Sequence, residues 1–102
     1  MATLETLLDA LHESIELSTA EELKSACALI IEVQGMNSAE RDCIRAAFRN
    51  GPLFEVDVPS KSARDSLERL GFMVQVIMDG QDGFNACTHK GAWAYRLLDA
   101  GA

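Results

Sequence analysis

The chain carries 16 acidic and 9 basic side chains among its 102 residues, a formal net charge of −7, with 48% of residues apolar and 25% charged. That length supports one hydrophobic core, that composition excludes a disordered chain, and no run approaches the roughly 18 uninterrupted apolar residues of a membrane span. Glu5 and Asp9 stand where a secretory leader would be positive, and Cys27, Cys43 and Cys87 show no CxxC spacing, so the expectation is a single cytoplasmic domain, residues 1–102, with reduced thiols.

The acidity is concentrated. Residues 1–36 hold seven carboxylates against Lys24 alone, whereas residues 37–102 hold nine against eight basic side chains. The first third therefore reads as an acidic helical extension, and the remainder can still present a local basic surface.

In chain order, Leu4, Leu7, Leu8, Leu11 and Ile15 recur at helical spacing and predict an amphipathic first helix. Ser18 with Glu21 has the spacing of a capping box, and Leu23, Ala26, Cys27, Ile30 and Val33 mark the buried stripe of a second helix that Gly35 can end. Asn37 with Glu40 repeats the start signal for a third helix, which turns Ile44, Ala47 and Phe48 inward and stops at Gly51 and Pro52. Residues 53–58 suit an extended segment. Ser60 or Ser62 caps a fourth helix with Ala63, Leu67 and Leu70 inside, and Gly71 ends it. Residues 73–78 predict a strand, residues 79–83 a turn and residues 84–87 a return strand, after which Thr88 caps a last helix holding Trp93, Tyr95, Leu97 and Leu98. The fold class is α+β, mostly helical.

The stretch PSKSARDSLERLGFMVQV running into DGQDGFNACTHKGAWAYRLL resembles a winged helix-turn-helix domain of the small bacterial or phage regulator type. The resemblance rests on Leu67, Leu70 and Gly71 ending a candidate recognition helix, on the valine-rich strand, on Phe84, and on the Thr88, Gly91 helix start. It spans roughly two thirds of the chain, residues 37–102, and implies a winged-helix core with two additional N-terminal helices and a C-terminal helix. One departure stands out. Residues 51–59 leave room for at most one turn of the helix that normally precedes the recognition helix, so that element is truncated or replaced by a strand.

For DNA contact the candidates are Arg41, Arg45 and Arg49, four apart on one helix and able to meet phosphates or an acidic partner, with Lys61, Arg64 and Arg69 near the candidate recognition helix and Lys90 just past the hairpin. The same arginines suit, somewhat better, a solvated face beside Glu40 and Asp42. The outward set of the fourth helix adds Asp65 and Glu68, and the hairpin tip offers Asp79 and Asp82, carboxylates that work against phosphate and favour a cationic protein partner.

Cys87 and His89 form a single CxH, too little for a structural zinc site, and a buried cysteine is the simpler reading. His12 sits among acidic residues on an exposed helix face. No phosphate loop, dinucleotide fingerprint, nucleophile elbow or calcium loop is present, so no catalytic, metal or cofactor residues are assigned and no enzyme activity is expected. The leucine stripe of the first helix can either pack on the domain or build a homodimer through Leu4, Leu7, Leu8, Leu11 and Ile15.

The expectation is a non-enzymatic winged-helix regulator or inhibitor that contacts another macromolecule, a protein in preference to DNA and no membrane. Its compactness and charge resemble phage-encoded inhibitors such as anti-CRISPR proteins. The alternative is a dimeric, sequence-specific transcriptional regulator placing Ser60, Lys61, Ser62 and Arg64 in the major groove.

Overall fold

The computed structural model describes residues 2–12, 19–78 and 81–102; the side chains of Met78, Gln81 and Asp82 are outside that description, as are Asp79 and Ile15. The fold is α+β, with helices predominating over a three-stranded antiparallel sheet. The chain divides into two compact units, Met1–Met36 with Trp93–Ala102, and Asn37–Ala92, so that the last ten residues group with the leading helices.

In the first unit, α1 (Leu4–His12) buries Leu7 and Leu11 and packs on α2 (Ala20–Gln34). Leu4 is exposed and Leu8 half-buried. Within the stripe, Leu7 and Leu11 are thus out of water in the single chain, while Ile15 lies outside the described residues. The start of α2 is corrected by one residue: Thr19, in place of Ser18, accepts from the Glu22 amide at 3.1 Å, and its hydroxyl donates to Glu22 Oε1 at 3.0 Å. Ala26, Leu29, Ile30 and Val33 form the buried stripe, and Leu23 lies outside it. From the C-terminal end of the chain the unit takes Ala94, Leu97 and Leu98, all buried, and closes with Gly101 at φ +102 while the Ala102 amide bonds Leu97 O at 2.9 Å.

In the second unit, α3 (Ser38–Asn50) starts with the expected capping box, Glu40 N donating to Asn37 Oδ1 at 2.8 Å and Asn37 N to Glu40 Oε1 at 3.0 Å. Cys43, Ile44 and Ala47 are buried, but Phe48, expected inward, is exposed, because the buried arc turns toward Cys43. Residues 51–59 contain both a two-residue strand, β1 (Leu53–Phe54), and a single 3₁₀ turn over Glu55–Asp57. Next, α4 (Lys61–Arg69) is capped by Ser60, whose hydroxyl accepts from Ala63 N at 3.3 Å.

The end of α4 shows why glycine follows it. Phe72 N returns to Leu67 O at 2.8 Å and Gly71 N to Glu68 O at 3.1 Å, the paired bonds of a Schellman stop, with Gly71 at φ +85 where a Cβ is disfavoured. The hairpin then runs through β2 (Met73–Met78) and β3 (Gln81–Cys87), the return strand starting three residues earlier than expected. Thr88 accepts from Gly91 N at 3.2 Å and opens α5 (His89–Asp99). Gly91 is required by space: a Cβ there would sit 2.1 Å from Phe72 O, so only glycine lets the first turn of α5 approach the base of the hairpin.

The strands are ordered β1-β3-β2. Phe54, Phe84 and Val76 are directly opposite one another, as are Leu53, Asn85 and Gln75 in the next row. Beyond Val76 the register shifts, so that Asp82 and Gly83 of β3 together face Ile77. A Cβ on Gly83 would come within 2.9 Å of Gln75 Cγ and Val76 O, which accounts for glycine at the bulge.

Candidate interaction surface

Strand pairing decides which residues share a face, since directly opposed side chains lie on one side of a sheet and neighbours along a strand alternate. Leu53, Asn85, Gln75, Met73 and Cys87 fall on one face, and Phe54, Phe84, Val76, Val74 and Ala86 on the other. The first face looks toward α3 and α4. Leu53 and Met73 are buried there, and Cys87 Sγ lies 3.8 Å from Ile44 O. Burial pushes the Cys87 thiol up to about 11 and raises that of Cys43, whose Sγ lies 3.4 Å from Ser60 O; both are inert, packed thiols.

This inner face also holds charge. Arg64, expected to point outward from α4, is only 9% exposed. Its Nη1 donates to Glu55 of the 3₁₀ turn and reaches Asn85 Oδ1 at 3.4 Å, while Nε donates to Asp65 Oδ1 at 3.0 Å and lies 3.9 Å from Glu68 Oε1. Asn85, fully buried, spends its amide on Leu53 O at 3.3 Å. One guanidinium thus ties the 3₁₀ turn, α4 and the central strand together. Stripping water from it is tolerable only because carboxylates and an amide replace that water.

This corrects the outward assignment of Arg64, and with it the four-residue set for the major groove. Ser60 is occupied as a helix cap, Arg64 is internal, and only Lys61 and Ser62 of that set are exposed. Asp65 stays exposed and Glu68 is half-buried; both lean toward Arg64. On α3, Arg49 is exposed, Arg41 and Arg45 are half-buried, and Arg45 lies 3.7 Å from Asp42. The stripe is therefore mixed in sign. Asp79 and the side chain of Asp82 lie outside the described residues. Lys90 donates to Leu70 O at 2.8 Å and sits 4.5 Å above the Phe72 ring, and Arg69 donates to Ser66 Oγ at 3.2 Å. Among the described residues no cluster of histidine, cysteine, aspartate or glutamate could hold a metal ion, and no helix is long and apolar enough to cross a membrane.

The outer face is where the structure departs furthest from sequence expectation. Phe54 is 50% exposed, Val76 46% and Val74 44%, and the Phe54 and Phe84 rings lie against each other with centroids 4.8 Å apart. Val56 of the 3₁₀ turn is 87% exposed, and Ile77, which by alternation belongs to the Gln75 side of β2, is 78% exposed. An apolar row crosses all three strands, exposed at Phe54 and Val76 and half-buried at Phe84 between them, while an arginine and an asparagine occupy the interior side. Scattered exposed apolar side chains are ordinary on protein surfaces, whereas these share one face of one sheet. The alternation within 53–54 and 84–86 carries this signal, but only strand pairing, invisible locally, aligns the two segments.

No protein-family model, curated protein or solved structure matches the chain.

Proposed function

We propose that the chain is a small non-enzymatic regulator or inhibitor of winged-helix type, acting by contact with another protein through the outer face of its sheet. The succession α3, β1, α4, β2, β3 with sheet order β1-β3-β2 supports the winged-helix reading. The observation that carries the protein-contact reading is the apolar row Phe54, Phe84, Val76, exposed at both ends and half-buried at Phe84, with Val74 on the same face, set against the internal position of Arg64. Apolar surface gains from meeting apolar surface, and a phosphate backbone offers none; α4 meanwhile has lost the arginine best placed to reach a base edge. The formal charge of −7 adds long-range repulsion against nucleic acid and attraction toward a cationic protein surface.

Two measurements test this. Random duplex DNA titrated at about 50 mM salt, where non-specific phosphate binding is strongest, is expected to give no binding. Salt-sensitive binding lost on Lys61→Ala would overturn the reading in favour of a DNA regulator. A photo-crosslinker placed at Val56 in the producing cell is expected to trap one discrete protein, and Phe54→Ser with Phe84→Ser should abolish the adduct.

A further inference from the structure

We propose that β2 is a self-pairing edge, through which two copies of the chain join antiparallel into one continuous six-stranded sheet. The outer face decides what covers the sheet, and the β2 edge what extends it.

The outer strand of the sheet is β2, and its backbone direction follows from one bond. Thr88 N donates to Phe72 O at 3.1 Å, which makes Phe72 and Thr88 a hydrogen-bonded pair. By the alternation of an antiparallel ladder, Val74 and Val76 spend their amides on β3, while Met73, Gln75 and Ile77 turn theirs to the open edge. Gln75 and Ile77 are exposed there.

Edges of this kind are normally blunted by lysine, proline, shortness or a bulge. The opposite edge, β1, is two residues long and follows Pro52. None of these devices protects β2: its sequence MVQVIM carries no charge and no proline over six residues, and the register shift places the extra residue on β3, the central strand. Because only one edge is open, pairing closes at two copies and does not run on into a fibre.

A second copy fits this edge better than an unrelated strand does. With the twofold axis at Gln75, Met73 of each copy meets Ile77 of the other, Val74 meets Val76, and about six ladder hydrogen bonds form. In a chain of net charge −7, β2 is a neutral strip along which two copies can approach. The apolar outer face then becomes continuous across the axis.

Strand pairing alone makes a small interface, so dissociation on the order of 100 μM is expected. Sedimentation equilibrium of the full chain from about 10 μM to about 1 mM reads this directly, given that range of affinity. The mass is expected to rise from 11.1 kDa toward twice that value with concentration. Gln75→Pro removes an edge donor without touching the β3 ladder, and Ile77→Lys places a charge on the edge; each is expected to hold the protein monomeric with an unchanged circular dichroism spectrum. Amide exchange at Gln75 and Ile77 should slow as concentration rises. A wild-type chain that stays monomeric across the range, or a dimer that survives Ile77→Lys, overturns the proposal. Phe54→Ser leaves the dimer intact, which separates this outcome from failure of the outer-face reading.

Discussion

The two faces of the small sheet are built on opposite principles. Toward α3 and α4 it presents Asn85, hydrogen-bonded to the guanidinium of Arg64, beside buried Leu53 and Met73; toward solvent it presents two phenylalanines and two valines. A half-buried sheet ordinarily alternates apolar inward and polar outward. Here the polar anchor is inside, which fixes one arrangement of turn, helix and strand, and the apolar surface is outside, where it contributes little to the stability of this chain. The polar anchor of the sheet and its exposed apolar surface thus lie on different sides, and under the protein-contact proposal substitution on each side should separate stability from partner capture.

The largest effect is expected from Arg64→Ala. Removing the guanidinium leaves Glu55, Glu68 and Asn85 without their shared partner in a water-poor place, a loss of about 3 kcal/mol. Urea unfolding measures it, and a change under 1 kcal/mol, as for an exposed pair, would show the inner face to be less closed than described. Asn85→Leu comes next, at about 2 kcal/mol, because Leu53 O loses its donor and Arg64 an acceptor. High pH weakens the same side. The folded chain holds the Cys87 proton up to about 11, above its unfolded value, so the thiol's contribution is complete below about pH 9 and is lost as pH rises toward 11. Thermal melts across that window should fall with pH, and Cys87→Ala should flatten the fall.

On the outer face the same measurements should barely move. Phe54→Ser costs about 1 kcal/mol, the worth of one aromatic pair, and Val76→Thr less than about 0.5 kcal/mol, yet both should reduce partner capture. Equal stability losses on the two faces would erase the distinction.

Much of the local architecture was legible because its causes are local. Asn37 with Glu40, Ser60, Gly71, and Thr88 with Gly91 mark their helix boundaries through bonds spanning three to five residues, and all of these were found at or beside the expected places. The orientation of α4 was not legible. Spacing of Ala63, Leu67 and Leu70 assigns an inner arc that leaves Arg64 outside, whereas the structure rotates the arc to Ala63, Arg64 and Leu67 and exposes Leu70. The reason is nonlocal: Glu55 and Asn85, 9 and 21 residues away, make a buried arginine favourable. The pairing of Phe54 with Phe84 was not legible for the same reason, since it depends on a two-residue strand finding its register with β3.

Gly101 lies so near Ala2 that a Cβ added to it would come 3.2 Å from the Ala2 Cβ, and both belong to the unit made from Met1–Met36 and Trp93–Ala102. The other unit, Asn37–Ala92, is thus threaded as an uninterrupted insert between two halves of its companion. Trimming from the front and trimming from the back are therefore the same injury to one body. A circular permutant that joins the two ends by a short bridge and opens the chain elsewhere preserves what both truncations would destroy.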